Sequence, residues 1–154
     1  MSSPSPDLAF RPARAADVDL IRDWIKRYSL NPMGIDWRRF TLATLGPDGP
    51  VVGMGQIKVH RDGSRELASI GVAEAERGRG IARELIQHML ASEVGDLYLT
   101  CRQPMRDFYR PFGFGDVDDV QDLPTYFRRI ARATGWLHRL APGWGPAIMR
   151  RRVG

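Results

Sequence analysis

The sequence predicts a mixed α/β fold in a single domain. Three features carry that reading: two strand-like runs joined by an Asp-Gly turn within residues 51–72, a glycine-rich turn that opens an amphipathic stretch at 81–92, and alternating strand and helix patterns from there to the C-terminus. A chain of 154 residues, 43% of them apolar, suffices for one core and falls short of two ordinary domains.

The elements follow in order. Residues 1–7 are rich in Ser and Pro and are expected to fray, so the domain is placed at 8–154. Residues 8–11 read as a strand. Val18, Ile21, Ile25 and Tyr28 recur at helical spacing, with Asp17, Asp19, Arg22, Asp23 and Lys26 toward water, until Asn31-Pro32-Met33-Gly34 ends the helix. Asp36 is expected to cap a short second helix containing Trp37 and Phe40, and 41–45 to form a strand stopped by Gly46-Pro47-Asp48-Gly49-Pro50. Residues 51–60 and 65–72 then make a hairpin across Arg61-Asp62-Gly63-Ser64. The helix at 81–92 carries Ile81, Leu85, Ile86, Met89 and Leu90 on one face. Next come a buried-type strand at 97–101, a short helix at 105–112 ended by Gly113, and a strand at 114–120 bearing Asp116, Asp118 and Asp119. Phe127, Ile130 and Leu137 mark an amphipathic helix from Leu123, and 147–151 a last strand.

Composition narrows the function. No apolar run approaches the ~20 residues of a membrane span, and the first ten residues lack the basic and apolar regions of a secretion signal, so a cytoplasmic protein without membrane partners is expected. Cys101, the only cysteine, makes no intrachain disulfide, and His60, His88 and His138 show no metal-ligand spacing, so no metal is expected. The net charge of +5 is concentrated at the end: residues 123–154 hold seven arginines and no acid. Arg128, Arg129, Arg132 and Arg139 flank the apolar positions of the last helix, near Trp136 and Trp144. Such a segment reads as a lid, a dimer element or plain packing rather than as a nucleic-acid surface, in a monomer or homodimer.

The most informative stretch is Ile70-Gly71-Val72-Ala73-Glu74-Ala75-Glu76-Arg77-Gly78-Arg79-Gly80-Ile81-Ala82. Glycines let a backbone approach a ligand, and the first N–H groups of a helix have no intrahelical acceptor, so strand, turn and helix together can aim several donors at a phosphate. Arg77 and Arg79 add charge, and the alternative is a surface turn with solvated arginines. A dinucleotide fingerprint would need a small residue where Arg83 stands, and a phosphate-loop NTPase needs Gly-Lys-Ser/Thr, which is absent. A diphosphate ligand of another kind remains.

Arg77-x-x-Gly80-x-Ala82, five residues beyond Val72, resembles the acyl-CoA motif of the GCN5-related N-acetyltransferases (GNAT), and Phe108-Tyr109-Arg110-Pro111-Phe112-Gly113-Phe114 resembles that family's second motif, in the right order and at the right separation. The resemblance is good over 51–117. It implies a mostly antiparallel sheet with a splayed central strand pair and flanking helices. It implies acetyl-CoA as co-substrate, its pyrophosphate on the amides of Gly78, Arg79, Gly80, Ile81 and Ala82 beside Arg77, and its pantetheine arm along Ile70, Gly71 and Val72. Tyr109 resembles the family's general acid. Glu66, the only carboxylate in its strand and an even number of residues from Ile70 and Val72, is expected to share their face and resembles the group that takes the amine proton; otherwise it is an exposed hairpin charge. His60 is a weaker candidate for the base, and Asp116, Asp118 and Asp119 are the alternative group, one that would attract a cationic amine. Arg102 and Met105 depart from the family pattern, which has Asn and a small residue there. Cys101 reads as a strand residue rather than a reactive thiol. The function this implies is acetyl transfer to a primary amine, of a small molecule first; acetylation of a protein lysine or N-terminus, or a non-catalytic acyl-CoA-binding regulatory module, are the alternatives.

Overall fold

Asp7 is the first residue that the computed structural model describes and Arg152 the last. The expected fraying of 1–7 therefore falls almost wholly outside the described residues; the carbonyl of Asp7 accepts a hydrogen bond from the N–H of Gly46 at 2.9 Å. Strands β1 (Leu8–Pro12), β2 (Phe40–Leu45), β3 (Val51–Val59), β4 (Arg65–Val72), β5 (Leu97–Arg102), β6 (Phe114–Asp116) and β7 (Pro146–Arg151) form one sheet in the order β1-β2-β3-β4-β5-β7-β6. The β1–β2, β2–β3, β5–β7 and β6–β7 pairings are antiparallel. β4 and β5 are parallel, with Glu66 opposite Tyr98 as their register pair. The mixed, mostly antiparallel sheet is the one that the motif resemblance implied.

The chain divides into two compact units, residues up to 58 with 67–93, and residues 59–66 with those from 94 onward. In the first, helix α1 (Val18–Arg27) buries Ile21, Trp24 and Ile25 against Phe40, Leu42 and Met54. Trp24 completes the i, i+3, i+4 stripe that apolar spacing marks. Helix α2 (Ile81–Leu90) buries the five apolar residues expected of it. Gly55 of β3 makes that packing possible: a Cβ there would lie 2.6 Å from Ile70 Cδ1 and 2.9 Å from Met89 Sδ.

In the second unit, helix α3 (Arg106–Tyr109) follows β5 and helix α4 (Thr125–Leu140) precedes β7. Phe127 of α4 is fully buried in a cluster with Tyr98 and Leu123. The residue before α4 is Pro124, which offers no side-chain cap. The Asp62 carboxylate of the β3–β4 turn supplies one from a distant part of the chain, accepting from the N–H of Tyr126 at 2.9 Å.

Several boundaries differ from expectation for local reasons. Asp36 does cap, accepting from the Arg38 N–H at 3.0 Å, but only a single 3-10 turn, Trp37–Arg39; Phe40 belongs to β2, where it is buried. The helix expected at 105–112 is three short pieces, 3-10 at Gln103–Met105, α3, and 3-10 at Arg110–Phe112, because Pro104 and Pro111 each remove an N–H donor. The strand expected at 114–120 stops at Asp116, and Asp119 instead caps a 3-10 turn, Val120–Asp122, by accepting from the Gln121 N–H.

Candidate active site

The glycine turn lies in the first unit. After Val72 come a 3-10 turn, Glu74–Glu76, an extended Arg77, and two left-handed glycines, Gly78 at φ +79° and Gly80 at φ +78°. Gly80 is the N-cap of α2. A Cβ at either glycine would meet nothing within 4 Å, so the need for glycine is conformational rather than steric. The N–H groups of Gly78 to Arg83 have no acceptor among the described residues, which leaves a short arc of donors over the positive end of the α2 dipole. The arginines are committed elsewhere. Arg77 donates from Nε to the Val72 carbonyl at 3.2 Å and lies 4.8 Å from the Tyr28 ring centroid, and Arg79 pairs with Glu76. The turn's attraction for an anion therefore rests chiefly on its amides.

β4 is not a regular strand. Ser69 sits at φ +59°, a left-handed conformation that costs a non-glycine residue about 1 kcal/mol or more. Its hydroxyl accepts from Nε2 of the fully buried Gln56 at 2.8 Å. A residue of that kind breaks the strand's two-residue alternation, as a β-bulge does. The counting argument that put Glu66 on the same face as Ile70 and Val72 therefore fails. Ile70 packs over Gly55 toward Met89.

Glu66 has a different set of neighbours, all in the second unit. It is 5% exposed, which excludes the reading as an exposed hairpin charge. His60 Nε2 lies 2.8 Å from its Oε2. The imidazole stacks on Tyr126 of α4, with centroids 3.5 Å apart and planes at 14°, and meets Phe127 edge-on at 5.5 Å. Phe127 in turn stacks on Tyr98, the register partner of Glu66. Asp62 completes the surroundings: burial opposes its ionisation, but hydrogen bonds from Ser64 and from the Tyr126 N–H outweigh that and hold its carboxyl below the usual range. Arg61, Asp62, Thr125, Tyr126 and Arg129 line a cavity of about 290 Å³ beside this stack.

Tyr109 closes α3. Its ring lies between Phe108 and Phe114, with centroids 5.0 and 6.2 Å away, and its hydroxyl has no hydrogen-bond partner among the described residues. Burial, with a smaller contribution from Cys101, pushes that hydroxyl up to about 12, so it is a proton-bearing donor at any physiological pH. Burial likewise pushes the Cys101 thiol up, only partly opposed by Arg106, as suits a strand residue rather than a nucleophile. Asp116 is held by Arg110 at 2.9 Å and Arg106 at 3.7 Å, which leaves it poorly placed to attract an amine. Arg102 is exposed.

Sequence reasoning missed two pairs, Gln56 with Ser69 and His60 with Tyr126. Gln56 did leave a signal, a polar residue in the apolar run of β3. The stack on His60 left none, because its partners are distant in the chain. Among the described residues no group of His, Cys, Asp and Glu is arranged to hold a metal ion, and no helix is long and apolar enough to cross a membrane.

Residues 9–114 match the family described as the Acetyltransferase (GNAT) family. Among solved structures, N-acetylglutamate synthase from Neisseria gonorrhoeae, complexed with coenzyme A and N-acetyl-glutamate, superposes with a TM-score of 0.71 at 16% identity over 96% of this chain and 35% of that one. This chain thus spans about a third of that synthase. The Mycobacterium tuberculosis protein Rv2747, in complex with CoA and NLQ, gives 0.68 at 19% identity over 95% and 99% of the two chains. An acetyltransferase of the GNAT family from Staphylococcus aureus Mu50 gives 0.66 at 15% over 96% and 99%. The curated proteins contain no match to this chain.

Proposed function

The chain belongs to the Acetyltransferase (GNAT) family, and from that premise we propose that it moves the acetyl group of acetyl-CoA to a primary amine of a small molecule, by direct attack in a ternary complex. The observation that carries the reading is the open arc of N–H groups from Gly78 to Arg83 behind two left-handed glycines. Anionic diphosphate oxygens need several preorganised donors, and the arc supplies them without side-chain ordering. Ile70, Gly71 and Val72 are assigned to the pantetheine arm. Arg77 donates to the Val72 carbonyl, which keeps a second lone pair for a further donor.

The chemistry requires a neutral amine, a stabilised oxyanion and a proton for the departing thiolate. The amine's proton goes to the His60–Glu66 pair, and Tyr109 serves the sulfur. A hydroxyl pushed up to about 12 is a weaker acid than a thiol of ordinary pKa, ~8.5. It therefore stabilises the leaving sulfur mainly by donating a hydrogen bond, with proton transfer late. The solved relatives complexed with CoA and N-acetyl-glutamate or NLQ support a small acceptor over a protein one.

Two measurements test this. Calorimetry should show CoA binding to the wild-type chain, and Gly80→Val should weaken it at least about tenfold in a protein that remains folded, because valine strongly disfavours the left-handed backbone there. Unchanged affinity in folded Gly80→Val rules the site out. A thiol-release screen over amines, amino acids, polyamines and peptides then reads the acceptor class, and turnover confined to peptides would overturn the small-molecule assignment.

A further inference from the structure

We infer that the cavity between α1 and the segment leading to β2 is a second binding site, for a small amphipathic anion: a carboxylate carried on an apolar body. The site is separate from the acetyl-CoA turn and goes beyond acetyl transfer.

The cavity has a volume of about 730 Å³, within the range of about 300–1,000 Å³ common for small-molecule sites. Val18, Ile21 and Ile25 form its helix wall, and Leu30, Ile35 and Trp37 face them. Ile21 and Ile25 also belong to the core, 1% and 5% exposed, so that wall is fixed. The opposite wall is tethered at Met33, whose N–H donates to Asn31 Oδ1 at 3.0 Å and whose carbonyl accepts from Lys58 Nζ at 2.7 Å. None of the lining residues belongs to β3, β4 or the glycine turn. Tyr28, whose ring lies 4.8 Å from the Arg77 guanidinium, sits with Trp24 on a different stripe of α1.

The polar part of the lining is cationic. Arg22 and Lys26, one turn apart on α1, are exposed, line the cavity, and make no hydrogen bond or ion pair with any described residue. No acid lines it: Asp23 pairs with Arg27, and Asp36 with Arg38 and Arg39. Like charges at this spacing repel each other. Lys26 stands in the last turn, where the helix dipole favours a cation, but Arg22 has no such support. An anion held between them removes the repulsion and gains charge-assisted hydrogen bonds.

Ser29 continues the same stripe, three residues beyond Lys26. It occupies the left-handed position of a Schellman ending, at φ +52°, with the Leu30 N–H donating to the Ile25 carbonyl at 2.9 Å and its own N–H to that of Lys26 at 3.3 Å. Glycine is the usual residue there; serine instead places on the cavity wall a hydroxyl that no described residue engages. Two monovalent cations and a hydroxyl suit a carboxylate. A phosphate dianion would call for the backbone donors of a helix N-terminus, whereas this stripe runs to the C-terminal, negative end of α1. The six apolar side chains require the remainder of the ligand to be apolar, since a bare inorganic anion would leave them wet.

Calorimetry on the full chain tests the site with octanoate as the probe. Octanoate should bind, whereas octanol, octyltrimethylammonium and acetate, which lack the charge, reverse it or lack the body, should each bind at least about tenfold more weakly. Arg22→Gln with Lys26→Gln, both on the surface, should keep the fold and weaken octanoate about tenfold, toward octanol. Ser29→Gly should weaken it several-fold while raising the thermal midpoint, because glycine relieves the left-handed backbone; a purely structural serine would give the second effect without the first. Saturation with CoA should leave octanoate affinity unchanged. Absence of octanoate binding, equal binding of octyltrimethylammonium, or full affinity in the double variant overturns the site. Inhibition by octanoate that is competitive with the acceptor amine overturns its separateness and makes the cavity part of the acceptor site. A chain that binds octanoate as expected but releases no thiol with any amine keeps this site and loses the acetyl-transfer reading.

Discussion

Tyr109 shows how far one residue's surroundings set its role. Its hydroxyl has no hydrogen-bond partner among the described residues and is pushed up to about 12 by burial, so it is present as a donor and reluctant as an acid. Tyr109→Phe keeps the ring contacts with Phe108 and Phe114 and should leave the fold and CoA affinity intact. Turnover should drop by about tenfold, the low end for a proton donor, because the thiolate leaves tolerably well on its own. The wild-type rate should show no alkaline limb assignable to this phenol below about pH 11, one unit beneath its raised value. Wild-type turnover in Tyr109→Phe, measured where chemistry limits the rate, would reduce Tyr109 to packing. Of the residues singled out from sequence, the glycines were legible because few other residues tolerate their backbone, and Tyr109 because it sits in a motif. Ser69 was not legible, since serine carries no preference for the left-handed region it occupies.

At the scale of elements, α4 illustrates what periodicity can and cannot foresee. Its apolar spacing announced a helix, and Phe127 is indeed buried. Its start was obscure, because the cap is Asp62, 64 residues away from Tyr126 and already explained by the Asp-Gly turn. One carboxylate thus holds the Ser64 backbone in the turn and the first turn of α4. Asp62→Ala should destabilise the protein by about 1–2 kcal/mol, the usual effect of losing a cap. The sign of the pH dependence follows from the lowered carboxyl: its stabilisation is fully present above the unfolded value, near 3.8, and is lost as pH falls through the lower folded value. The stability gap between wild-type and Asp62→Ala, read by denaturant unfolding, should therefore be constant at neutral pH and shrink below about pH 4. A gap independent of pH would mean that alanine disturbs the turn rather than the charge.

For the whole molecule, the question is how much chain the fold needs beyond the family match at residues 9–114. The sequence marked the last strand correctly but not its place. β7 inserts between β5 and β6, pairing six residues with β5 and three with β6, and no local pattern encodes a return to the middle of a sheet. The arginines of this segment are also less available than their charge suggests: Arg128 donates to the Gln121 and Leu123 carbonyls, and Arg151 to that of Phe112. Met149, 0% exposed, and Ala147, at 6%, bring β7 into the core. Losing a buried methionine alone costs about 2–5 kcal/mol, and the strand's ladder goes with it, against a total stability of about 5–15 kcal/mol. A chain ending at residue 145 should therefore lack a cooperative thermal transition and fail to bind CoA, although it retains the family-matching region and the whole glycine turn. Circular dichroism melts and calorimetry on that truncation decide the point. A cooperative, CoA-binding product would show that β5 and β6 hold without the strand between them, and would move β7 from the framework to an accessory.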